Sequence, residues 1–151
     1  MFKKGGYSLV ELLIVVMFLG IIAAIAVPRF NYSVTSKMQA DTLARKFITD
    51  LRRTRNLAIS NAAVNTEGFA LNMTGTSPYS GYEIQNLDTL EIEDSHNIDS
   101  DINCTGGAQF KYGPLGNLLT GSDSQLVISA SGKTFTISII PATGTVKCTE
   151  N

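Results

Sequence analysis

Residues 5–28, G-G-Y-S-L-V-E-L-L-I-V-V-M-F-L-G-I-I-A-A-I-A-V-P, decide how the rest of the chain is read. Between Leu9 and Val27 only Glu11 and Gly20 are not apolar. As a helix this run is about 28 Å long, at ~1.5 Å per residue. A bilayer core of about 30 Å is a good match, so a transmembrane helix is expected. Lys3 and Lys4 precede it and should stay on the cytoplasmic side. Glu11 is the exception that needs a reason. A carboxylate inside a bilayer helix is costly and marks a functional position with a partner to be found.

Working outward, the run begins with a short basic leader ending in Gly6. An aromatic (Tyr7), a small hydroxyl residue (Ser8), two aliphatics and Glu11 follow, then an unbroken apolar stretch closed by Pro28. This resembles the N-terminal signature of type IV pilins and of the pseudopilins of type II secretion. The resemblance implies cleavage by a prepilin peptidase between Gly6 and Tyr7, and methylation of the new amine of Tyr7. It also implies that Glu11, the fifth mature residue, pairs with the N-terminal amine of a neighbouring subunit and sets register during assembly. Tyr7 stands where phenylalanine is more usual, and Ser8 where threonine is.

Electrostatics agrees without the family. The amine at Tyr7 and the carboxylate at Glu11 lie one helical turn apart. The start of a helix favours negative charge. Two other readings remain open. One is a secretory signal peptide cut after Ala24-Ile25-Ala26, although its apolar run is long and contains a glutamate. The other is a plain membrane anchor, which explains neither Gly5-Gly6 nor Glu11.

Charge separates the two parts of the chain. Residues 1–63 carry nine Lys/Arg against three acids, and residues 64–151 three lysines against ten acids. An acidic distal region is poorly suited to neutralising phosphates, so DNA is not the favoured partner, though a local patch stays open. Cys104 and Cys148 are the only cysteines. If the lysines stay inside, both lie outside the cytoplasm, where a disulfide between them would persist. Two free thiols are the alternative. With two cysteines and one histidine, a zinc site of ordinary ligand type is not expected. Acids between residues 91 and 101 could offer oxygens to calcium. They lack EF-hand spacing, and a solvated acidic loop is the better reading.

Beyond the apolar run the helix is expected to continue. Pro28 should kink or loosen it, and Gly20 is a second weak point. From Val34 to about Ala62, Ala40, Leu43, Ala44, Phe47, Leu51, Thr54 and Ala58 recur at three- and four-residue steps. That spacing gives one apolar stripe needing a sheet to cover it. The charged residues, Asp50 among them, fall mostly at positions off that stripe. Asp41 and Arg45 are an i, i+4 pair. The basic run Arg45-Lys46 and Arg52-Arg53-Thr54-Arg55 could meet lipid headgroups, an acidic neighbouring subunit or DNA, or be a solvated face.

Residues 64–151 read as β-structure. Strands are expected at Glu67–Met73, Tyr82–Leu87, Leu90–Glu93 and Ala108–Tyr112, with residues 94–107 a polar loop. A hairpin is expected from Gln125–Ala130 and Lys133–Ile140 across Ser131-Gly132, then a last strand at Thr145–Cys148. The predicted architecture is α+β, a long N-terminal helix packed on an antiparallel meander. The parts are a leader (1–6), a transmembrane assembly helix (7–28), its amphipathic continuation (29–63) and a β-rich domain (64–151).

The order F-K-Y-G-P-L-G-N-L, two β-rich strands and T-G-T-V resembles the GspH/FimT-type minor pilins and pseudopilins. The resemblance implies the type IV pilin fold and a structural minor subunit of a pilus or pseudopilus rather than an enzyme, with no cofactor. Implied partners are other pilin subunits, the prepilin peptidase, the inner-membrane assembly platform and the bilayer. The implied location is the inner membrane, with the globular part outside the cytoplasm, and then the filament. The alternative is a DNA-binding minor pilin of a transformation pilus. No nucleophile elbow, P-loop or HExxH pair is present in the sequence.

Overall fold

The computed structural model describes residues 8–26 and 32–151. They form an α+β chain of two helices and eight strands. Two compact units separate near Tyr32, and each is described by itself.

The first unit holds α1 (Leu9–Ala26). Ser8 starts it as a cap: its Oγ accepts from the Val10 amide at 3.2 Å, and its carbonyl accepts from Glu11 and Leu12. The helix runs through Gly20 without interruption. Its 18 residues rise about 27 Å, short of a hydrocarbon core of about 30 Å. Among the described residues no helix is long and apolar enough to cross a membrane. Of the expected helix over 7–63, the described residues cover two helical stretches, 9–26 and 32–60. The leader, the Gly6–Tyr7 cleavage point and the Pro28 kink lie outside the described residues.

In the second unit α2 (Tyr32–Ser60) carries the expected stripe. Ala40, Ala44, Phe47, Leu51, Thr54 and Ala58 are all buried, and Leu43 packs against the core. Asp50 is buried with them, which corrects its placement on the polar face. Two four-stranded antiparallel sheets share one hydrophobic core with this helix. Sheet A has the order β3 (Ile92–Asn97), β2 (Gly81–Asn86), β1 (Phe69–Thr74), β5 (Gln109–Tyr112). Sheet B has the order β4 (Asn103–Gly106), β6 (Gln125–Ala130), β7 (Lys133–Ile140), β8 (Thr145–Glu150).

The expected single meander is therefore corrected to two sheets. The polar loop expected over 94–107 holds most of β3 and all of β4. Between β4 and β5 the chain passes from sheet B to sheet A within two residues. Asp123 fixes that crossing, its Oδ2 accepting from the Ala108 and Gln109 amides at 2.7 and 3.1 Å.

The hairpin of β6 and β7 follows expectation to the residue, with Ala130 opposite Lys133. Ser131 (φ 49°) and Gly132 (φ 83°) both take positive φ, as a two-residue turn matched to strand twist requires. Phe135, Ile137 and Ile139 point inward, as their alternation predicts.

Candidate functional site

Two places bear on function, one in each unit. In α1 the apolar side chains go all the way round the helix. Those from Leu9 to Ile22 are 48–81% exposed, with no core of their own to enter. A helix apolar on every side belongs inside something, whether lipid or other helices. Glu11 is the one charged group on it and lies in the first turn, where the amide dipoles favour an anion. Among the described residues the Glu11 carboxylate has no hydrogen bond or ion pair. Tyr7, the expected donor, lies outside them.

The second place is a polar seam where α2 meets the β2–β3 side of sheet A. It starts from Asp50, 7% exposed and held on α2 one position before Leu51. Tyr82 of β2 donates its hydroxyl to Asp50 Oδ2 at 2.7 Å. The Tyr82 ring stands edge-on to Phe47 at 5.1 Å and to His96 at 5.1 Å. His96 of β3 brings Nε2 to 3.5 Å from both Asp50 Oδ2 and Asp94 Oδ2. Its Nδ1 lies 3.1 Å from Lys46 Nζ. Arg53 donates to Asp94 at 2.6 Å. That guanidinium holds the Asp94 carboxyl below its ordinary range, with His96 a smaller contributor. Burial, then the hydrogen bond to Asp50, pushes the Tyr82 hydroxyl well above the usual phenol value.

The basic run of α2 is largely committed inside the chain. Arg45 pairs with Asp41 at 2.9 Å, as the i, i+4 spacing predicts. Lys46 and Arg53 belong to the seam, and Arg55 Nε donates to the Gly116 carbonyl at 2.9 Å. Of these basic side chains that of Arg52 alone has no hydrogen bond or ion pair among the described residues. Four of the five, Arg45, Lys46, Arg52 and Arg53, are exposed as the solvated-face reading expects, while Lys46, Arg53 and Arg55 also tie the helix to the sheet domain.

The disulfide expectation is corrected. Both cysteines are free: Cys104 is buried in β4 and Cys148 exposed in β8. β4 and β8 are the two edges of sheet B, three strand spacings apart. That is about 14 Å, beyond the roughly 7 Å that a bridge tolerates between Cα atoms. Burial pushes the Cys104 thiol up to about 12. Cys148 lines a groove of about 200 Å³ with Asp41, Ala44, Arg45, Ile48 and Phe135. Partial burial there, then the charge of Asp41, raises its thiol too. The acids near residue 94 are not gathered. Asp94 turns to Arg53, while Asp99 accepts from Gln39 at 3.4 Å. Among the described residues no group of His, Cys, Asp or Glu could hold a metal ion.

Sequence reading missed three residues of this region. Asp50 and His96 look like surface residues until each is seen to be the other's partner. Asn65 is the third. It is buried after the end of α2 and bonds Gly68 through both ends of its amide, at 2.7 and 3.0 Å, and Asn86 at 2.7 Å. An asparagine three residues before a glycine was the available signal for that turn. Compared with protein-family models, curated proteins and solved structures, the chain matches none.

Proposed function

We propose that the chain is a structural minor subunit of a type IV pilus or type II secretion pseudopilus. In this reading the prepilin peptidase cuts after Gly6, the amine of Tyr7 is methylated, and the subunit assembles through its N-terminal helix. The observation that carries it is α1 itself, apolar on every side, exposed throughout and bearing one carboxylate in its first turn. A lone anion there is best satisfied by a cation from another chain, and a filament of parallel helices supplies one. The long α2 under an antiparallel β-domain suits the pilin fold. Before assembly the subunit would wait in the inner membrane with its β-domain outside the cytoplasm. The apolar run continues in sequence to Val27, and a shortfall of a few ångströms is absorbed by local bilayer thinning.

The test is intact mass and N-terminal sequence of the full chain, expressed with an active prepilin peptidase and extracted from membranes. A start at Tyr7 carrying one added methyl supports the reading. A start at Val27 means a secreted domain, and an uncut Met1 means a plain anchor; either removes it. Glu11→Ala should then abolish co-assembly without preventing cleavage. Capture of DNA is the competing reading. It rests on the basic run, four of whose five cations already have partners within the chain. A gel shift with the full chain in detergent that is lost in Arg52→Ala would favour it.

A further inference from the structure

The polar seam between α2 and sheet A is centred on the one histidine of the sequence. His96 Nδ1 lies 3.1 Å from Lys46 Nζ. An ammonium carries hydrogens and no lone pair, so Nδ1 must accept. The proton of the neutral ring then sits on Nε2, which lies 3.5 Å from Asp50 Oδ2 and 3.5 Å from Asp94 Oδ2. The charged and titratable groups around the ring are Lys46, Asp50 and Arg53 on α2, Tyr82 on β2 and Asp94 on β3. Two cations and two carboxylates balance about a neutral imidazole.

We propose that His96 is a proton-operated latch, which holds Lys46 while the ring is neutral and releases it when the ring is protonated. The added proton can go only to Nδ1, the atom on which Lys46 rests. Two donors, both cationic, then face each other. The ring is held at the other end, because both carboxylates lie at Nε2 and attract it more strongly once it is charged. Lys46 is the exposed and flexible member, so it is the one that leaves. The ring itself is 20% exposed, which gives the proton a way in from solvent. Acidification therefore exchanges a bond between helix and sheet for a free ammonium on α2. The latch belongs to one chain and stands whether or not that chain enters a filament.

The experiment uses the full chain in detergent micelles, with nitrogen-labelled histidine and carbon- and nitrogen-labelled lysine, followed by NMR through a pH titration. At mildly alkaline pH the ring should show a protonated Nε2 and a bare Nδ1. As the ring takes up its proton, the Lys46 signals should move to the positions of solvated lysines over the same pH range. In His96→Gln that step in Lys46 should vanish. An Nδ1–H tautomer at alkaline pH overturns the proposal. So does a Lys46 signal that stays fixed while the ring protonates, or a step that survives in His96→Gln.

Discussion

Tyr82 donates its hydroxyl hydrogen to Asp50 across the interface between sheet A and α2, with 2.7 Å between the oxygens. Both side chains are buried, so neither can turn to water instead. Tyr112, equally buried in β5, has no partner for its hydroxyl among the described residues. The same substitution should therefore act differently at the two sites. Tyr82→Phe strips a donor from a buried carboxylate and should cost about 1–3 kcal/mol in denaturant unfolding. Tyr112→Phe should be neutral or slightly stabilising. Equal losses at both would show that the hydrogen bond to Asp50 contributes little.

Alkali should weaken the fold through its buried acids. Burial raises Cys104 from 9.0 to about 12, and raises the Tyr82 and Tyr112 hydroxyls above the ordinary phenol value. Each keeps its proton in the folded chain after the unfolded chain has lost it. Stability then falls as pH rises, by about 1.4 kcal/mol per pH unit for each such group. For Cys104 the loss starts near 9.0 and is complete near 12. Urea midpoints measured at rising pH should decline through this window, and less steeply in Cys104→Ala.

The thiols should differ in reach. Cys148 is exposed and Cys104 buried, on opposite edges of sheet B. Alkylation followed by intact mass should give one label on the folded chain, at Cys148, and two in denaturant. An unlabelled chain that takes up two labels only after reduction would restore the disulfide.

Gly144 sits at φ 65° in the turn after β7, where an added Cβ would overlap the Gly116 carbonyl oxygen and crowd Arg55 Nε. Gly132 has a similar φ, 83°, with open space around it. Gly132→Ala should cost only backbone strain, about 1 kcal/mol. Gly144→Ala should cost at least twice that, because it also pushes the Gly116 loop off Arg55. Thermal melts of the two variants side by side check the order.

The parts of this fold that follow elementary patterns could be read without coordinates. The hairpin from Gln125 to Ile140 alternates apolar and polar residues around a Ser-Gly turn, and it lies where the alternation puts it. The stripe of α2 was equally legible. β3 was not, because its inward positions are Asp94 and His96, which face α2 as a polar seam, while its one apolar residue, Ile92, lies beyond an irregularity in the pairing with β2 and is exposed. A strand with polar residues on both faces, Glu93, Ser95 and Asn97 being the outward ones, looks like a loop. β4 is four residues long and offers only Cys104 as a buried apolar residue. Nor does local sequence say that β4 pairs with β6 rather than β3, since that choice depends on strands not yet reached. Asp50 was misplaced for a related reason. Its burial is tolerated only through Tyr82 and His96, which lie 32 and 46 positions further along.

The crossing at residues 107–108 laces the two sheets together. Sheet A is finished only by β5, which comes after β4, and β4 is already an edge of sheet B. Tyr79, in the connection between β1 and β2, adds a stitch through its amide to the Cys104 carbonyl and its hydroxyl to the Gly106 carbonyl, each at 2.9 Å. No cut in the chain between β1 and β8 yields two fragments that each hold a whole sheet. Residues 33–151 form one compact unit and should melt as one, neither sheet persisting after the other is lost. Such a domain should resist piecemeal proteolysis and fold slowly, because distant strands must meet before either sheet is complete.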